Sequence, residues 1–204
     1  MPDITPAHAG GAPSAWVQRW SHLVPAGASV LDVACGSGRH VRWFAARGGR
    51  VTGVDRDASA TAPLAAIAEI VIADIEAGPW PFADRTFDAV VVTNYLWRER
   101  LGEIVAAVAP GGVLIYETFA IGHERFGKPS NPAFLLRPGE LLQAAAVLRV
   151  VAYEDGVEAA PPRAVQRIVA RRDAASDAPL PPPLGPDRAA AGGTLKSADS
   201  EDRA

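Results

Sequence analysis

The sequence predicts an α/β fold in three layers around a mostly parallel sheet of seven strands. Three observations carry this. Short apolar runs alternate with helix-patterned segments through most of residues 14–172. The run "FDAVVVTN" is almost continuously apolar, as a strand covered on both faces must be. The last two strand-like runs, "LRVVAYED" and "VQRIVARR", are separated only by a loop with two prolines, so the last strand is antiparallel.

Each element has a local reason. In "SAWVQRWSHLV", Trp16, Val17, Trp20, Leu23 and Val24 recur at helical spacing, Ser14 is the N-cap, and Pro25 and Gly27 close the helix. The aromatic face of this helix is expected to pack as a lid over a ligand mouth or into the core. "SVLDVAC" is a short buried strand, and "RHVRWFAARG" is a helix ended by Gly48 and Gly49. "RVTGVD" is the second strand. A short helix interrupted by Pro63 fills residues 57–68, and "EIVIAD" is the third strand. "IEAGPWPFADRT" is a loop, because it holds two prolines and a glycine. After "FDAVVVTN", "RERLGEIVAAVAP" is helical and stops at "PGG", and "VLIYETF" is the fifth strand. "LRPGELLQAAA" begins a further helix, with Pro138 in the first helical position.

Three segments are expected: a loose tail over residues 1–13, one domain over 14–172, and a disordered tail over 173–204. The last has no aromatic residue and is dominated by Pro, Ala, Asp and Ser. The net charge of −3 over 204 residues leaves no electrostatic footprint for duplex nucleic acid or an anionic membrane. No apolar run has the length of a membrane span, and the first residues have neither the basic nor the apolar part of a signal peptide. The lone Cys35 allows no internal disulfide and fits a reducing compartment. A cytoplasmic protein is the expectation.

The chemistry concentrates in "VLDVACGSGRH". Gly36 and Gly38 let the backbone turn sharply and approach a ligand, and the next helix starts with free N–H groups. Asp55 ends the following strand 17 residues past Gly38, close to the spacing at which an acid holds ribose hydroxyls. A dinucleotide fingerprint needs a third glycine where this chain has Val41. A Walker loop, with its Lys-Ser/Thr, is absent.

These residues resemble the first motifs of the class I S-adenosylmethionine (SAM) methyltransferases. "VIADIEAGPWPFADRTFDAVVVTNYLW" and "VAPGGVLIYETF" resemble the later ones. The finer likeness is to small-molecule methyltransferases of the tellurite-resistance and methyltransferase-domain-11 or -25 kinds. The resemblance implies a Rossmann-like sandwich and SAM as cofactor. It implies that Asp32 serves the methionine ammonium, that Gly36, Ser37 and Gly38 cradle the cofactor, and that Asp55 holds the ribose. Asp74 and Ile75 would read adenine, and Asn94 and Tyr95 would lie under the methionine. The pair of prolines that follows strand four in amino-methylating nucleic-acid enzymes is missing after Asn94 and Tyr95. The expected acceptor is therefore a small molecule, and nucleic acid is disfavoured.

Catalytic candidates are Tyr95, Glu117 and His123, should the acceptor need a base. Cys35 has no base beside it in sequence and is expected to be inert packing. His40 is expected at the surface or the cofactor rim. The long segment "YETFAIGHERFGKPSNPAFLLRPGE" contains Arg125, Lys128 and Arg137, which suit a small, anionic acceptor. No metal-ligand cluster is visible, so metal-independent SN2 transfer is expected. The alternatives are a nucleotide-cofactor oxidoreductase, a tRNA or other nucleic-acid methyltransferase, and a non-catalytic SAM-binding protein.

Overall fold

The computed structural model describes residues 11–174. Most of the two expected tails, residues 1–10 and 175–204, lies outside the described residues. The strands are β1 (Ser29–Val33), β2 (Arg50–Asp55), β3 (Glu69–Ile72), β4 (Phe87–Thr93), β5 (Val108–Phe119), β6 (Arg149–Ala159) and β7 (Pro162–Arg171). They form one seven-stranded sheet in the order β3-β2-β1-β4-β5-β7-β6. β1 to β5 run parallel, and β7 is antiparallel to both β5 and β6. This is the three-layer, Rossmann-like sandwich expected from the alternation of elements.

The apolar residues of β4 show why the sheet is sandwiched. Side chains alternate in direction along a strand. Ala89 and Val91 join one core with Val30, Val113, Ile115 and Val169. Val90 and Val92 join the other with Leu31, Val33, Leu114 and Ile168. The first face is covered by α1 (Ala15–Trp20) and α2 (Arg39–Ala46), through Trp16, Val17, Trp20, Val41 and Phe44. The second is covered by α4 (Leu101–Ala106), α5 (Glu140–Ala144) and the loop before β4, through Ile104, Leu141, Trp80 and Phe82. Between β2 and β3 the chain makes α3 (Ala58–Thr61) and a 3₁₀ turn whose Leu64 is fully buried.

One detail decides between the two expectations for α1, and three correct the sequence expectations. Trp16 and Trp20 are core residues and not a lid: they pack edge to face at 5.7 Å between ring centroids, inside the first core. "PGG" lies inside β5 and not before it. The ladder begins at Phe87 with Val108 and slips to Ala89 with Val113. The end of β7 holds this bulged start, because Gly111 N–H donates to Arg172 O and Arg172 N–H to Gly112 O. The helix before it is correspondingly short. Pro138 lies outside α5, whose cap is Gly139 at φ +71.

Candidate active site

Three carboxylates stand along one edge of the sheet because three neighbouring parallel strands end there. Asp32 is in β1, Asp55 ends β2, and Asp74 follows β3. Between β1 and α2 the chain turns within five residues. Ala34, Gly36 and Gly38 all take positive φ, at +53, +52 and +78. A side chain at Gly36 would project into open space, whereas a Cβ at Gly38 would come within 2.4 Å of the Leu64 methyls. The first glycine thus leaves room above the turn, and the second lets the turn pack on the core.

The turn opens into a cavity of about 230 Å³ lined by Asp32, Cys35, Gly36, Ser37, Arg39, His40, Thr93 and Asn94, with Ala34. Asp32 is only 1% exposed, and its Oδ2 has no hydrogen-bond partner. Burial pushes its carboxyl up to about 7, against the opposing pull of Arg39 and of the Val41 N–H. Arg39 Nη2 donates to Thr93 Oγ1 at 3.1 Å. The cavity therefore holds a buried acid and a guanidinium.

His40 contradicts the surface reading. It is 2% exposed, and its Nε2 accepts the Ser14 backbone N–H at 3.1 Å. Burial, with Arg39 adjacent, drives its pKa down to about 3, so the ring is neutral. The cause is the helix start: the first turn of α2 tucks beneath the N-cap of α1. Cys35 is buried, and burial pushes its thiol well above the ordinary range, in line with inert packing.

Asp55 and Asp74 flank the cavity without lining it. Asp55 Oδ2 accepts Gly36 N–H at 2.8 Å, and Oδ1 accepts Asp57 N–H at 2.9 Å. Asp74 is exposed, and Oδ1 accepts the N–H groups of Glu76 and Ala77, which hold its carboxyl below the usual range. Ile75 is buried, and its carbonyl accepts Arg100 Nε–H at 2.6 Å. Asn94 lines the cavity at φ +55, with its N–H on Glu117 O.

None of the three catalytic candidates lines the cavity. The Tyr95 hydroxyl is buried without a partner, and burial raises its pKa. Glu117 is 1% exposed; its Oε1 accepts the Ser14 hydroxyl at 3.0 Å, and Arg163 Nη1 lies 3.5 Å away. Arg167 Nε stands 2.6 Å from its Oε2, an ion pair off the line of the N–H bond. His123 stacks on Phe119 at 4.2 Å, with Nε2 3.1 Å from Lys128 O. Arg125, Lys128 and Arg137 are exposed on the segment after β5 and also lie outside the cavity lining. Sequence reasoning missed Arg39 and Thr93. Both had a positional signal: one opens α2 directly after the glycine turn, and the other ends β4.

A family model described as a methyltransferase domain matches residues 30–112. No curated protein matches the sequence. Among solved structures, TehB from Haemophilus influenzae is similar at 19% identity and a TM-score of 0.60, over 75% of this chain and 60% of that one. A TehB-like SAM-dependent methyltransferase from Corynebacterium glutamicum is similar at 20% identity and a TM-score of 0.58, over 81% and 91%. The 1,6-didemethyltoxoflavin-N1-methyltransferase of Burkholderia thailandensis, solved with 1,6-didemethyltoxoflavin and S-adenosylhomocysteine, is similar at 22% identity and a TM-score of 0.57, over 78% and 76%. Residues 30–112 thus match a methyltransferase domain, and the seven-stranded sheet around them has the fold of the SAM-dependent methyltransferases.

Proposed function

We propose that this chain moves the methyl group of SAM to a small-molecule acceptor, within one domain spanning residues 14–172. The observation that carries the reading is the unpartnered, buried Oδ2 of Asp32 in a cavity that also contains Arg39. The amino-acid end of SAM is a zwitterion, and this pair offers one opposite charge to each of its groups. Asp32 would hold the ammonium and Arg39 the carboxylate. Gly36, Ser37 and Gly38 would pass beneath them, Asp55 would hold the ribose, and Asp74 and Ile75 the adenine. Asn94 and Tyr95 would bound the methionine side.

SAM supplies a methyl already activated on a sulfonium, so the transfer needs no metal in this reading. The protein's part is to orient the acceptor in line and exclude water, which contributes about 7–11 kcal/mol in well-aligned cases. Tyr95, Glu117 and His123 stand off the cavity, so the reading favours an acceptor that is nucleophilic without a base. An acceptor of anionic character is supported by Arg125, Lys128 and Arg137 on the segment after β5. The single, buried cysteine supports a cytoplasmic setting.

The test is calorimetry with S-adenosylhomocysteine and with NADH, followed by radiolabelled methyl transfer to thiols, oxyanions, small acids and tRNA. Micromolar binding of S-adenosylhomocysteine and transfer to one small-molecule class is the expected result. Binding of NADH alone overturns the reading, and transfer to tRNA alone overturns its acceptor. Neutralising Arg125, Lys128 and Arg137 together should abolish turnover and spare cofactor binding. Unchanged turnover removes the anionic acceptor.

A further inference from the structure

The hydrogen bonds around His40 determine where one proton in the cavity must point. A backbone N–H is always a donor, so His40 Nε2, which accepts the Ser14 N–H, carries no proton. A neutral imidazole then carries its proton on Nδ1. Nδ1 lies 3.4 Å from Thr93 Oγ1, so in this pair the histidine donates and the threonine accepts. Arg39 Nη2 also donates to Thr93 Oγ1, at 3.1 Å. A hydroxyl oxygen accepts two hydrogen bonds and donates one. Both acceptor positions of Thr93 are filled, and its own proton is left to be given away. Thr93 lines the cavity, next to Arg39 and Asn94.

We propose that Thr93 is a dedicated hydrogen-bond donor to an anionic oxygen of the bound cofactor, namely the carboxylate of its amino-acid end, and that Ser14 and His40 are the positioning residues that make it one. The arrangement pairs a neutral O–H donor with the charged Arg39 fork, side by side, as a two-pronged clamp for a carboxylate. The Ser14 side chain completes the frame: its hydroxyl donates to buried Glu117, which fixes the start of α1 over His40. The chain of bonds therefore runs from a carboxylate on β5, through the cap of α1 and the first turn of α2, to a hydroxyl at the end of β4. This inference rests on the cofactor reading above, and the experiment separates the two.

Binding of S-adenosylhomocysteine and of 5′-methylthioadenosine, which lacks the amino-acid end, is measured by calorimetry for the wild type, Thr93→Val and Thr93→Ser. Thr93→Val should weaken S-adenosylhomocysteine about tenfold or more, as loss of a hydrogen bond to a charged group does, and leave methylthioadenosine unchanged. Thr93→Ser should restore the difference between the two ligands. Wild-type protein that binds neither ligand overturns the cofactor reading. Wild-type protein that binds S-adenosylhomocysteine no more tightly than Thr93→Val does overturns the clamp alone, as does equal weakening of both ligands in that variant. Nitrogen-15 spectroscopy of the free protein supplies a readout independent of ligand. His40 should appear with a protonated Nδ1 and a bare Nε2, and the opposite tautomer overturns the proposal.

Discussion

The Gly36 backbone N–H donates to Asp55 Oδ2 at 2.8 Å, so the acid at the end of β2 holds the turn after β1 in shape. Its other oxygen takes the Asp57 N–H. Asp55 thus braces the turn, beside the ribose role proposed for it. Asp55→Ala should lower SAM affinity at least tenfold and Tm by about 2–6 °C, read by calorimetry. Asp57 is the N-cap of α3, accepting from Ser59 and Ala60. Asp57→Ala should lower Tm through loss of the cap, with affinity preserved. Equal loss of affinity in both variants would show that the brace, and not the ribose contact, is what Asp55 contributes.

The two glycines of the turn should fail in different ways. Gly38→Ala places a side chain at φ +78 and drives its Cβ to 2.4 Å from Leu64 in the core. The left-handed conformation alone costs about 1–2 kcal/mol, and Leu64 must also move. Gly36→Ala carries similar backbone strain but meets nothing within 4 Å. Its methyl would enter the open space above the turn, where the proposed cofactor lies. Scanning calorimetry should show the larger loss of Tm in Gly38→Ala, and titration the larger loss of affinity per degree of Tm in Gly36→Ala.

Asp32 should make cofactor binding pH-dependent. Its carboxyl is pushed up to about 7 in the free protein. In the proposed site the ammonium of SAM pairs with the carboxylate, so below pH 7 a proton would have to leave before binding. Affinity for S-adenosylhomocysteine should fall as pH drops, approaching tenfold per unit by pH 5, whereas Asp32→Asn should bind weakly with no such slope.

Asp32 and His40 pull folding stability in opposite directions. The folded value for Asp32 lies above its unfolded 3.8, so its contribution is full below pH 3.8 and is lost as pH rises through 7. His40 lies at about 3 in the fold against 6.5 unfolded, so its contribution is present above pH 6.5 and is lost as pH falls toward 3. Asp32 is common to the wild type and to His40→Asn. The stability advantage of the wild type over that variant should therefore shrink from pH 7 to pH 4 in urea unfolding. A gap that does not change with pH would mean that His40 titrates normally.

Arg98 should act on the segment after β5 from a distance in sequence. Its guanidinium pairs with both oxygens of Glu140, at 2.7 and 3.0 Å, and donates to the carbonyls of Ala133 and Leu135. Arg98→Ala should lower Tm by about 2–8 °C and raise hydrogen exchange across residues 120–139. Arg98→Lys should not restore protection, because an ammonium cannot reproduce the planar fork.

The sequence alone determined the alternation of strands and helices, the glycine turn, and the acids at the ends of three strands. These depend on side-chain period and on residues close in the chain, which a linear reading captures. Only the tertiary structure decided the fate of His40, Glu117 and Thr93. His40 reads as a surface or cofactor-rim residue until Ser14, 26 positions earlier, covers it beside the cavity. Glu117 reads as a free base until Ser14, 103 positions away, and two arginines of β7 close on it. The start of β5 is likewise set by Arg172, across the sheet from "PGG". The protonation and donor direction of each group depend on partners that only the folded sheet brings within hydrogen-bond range.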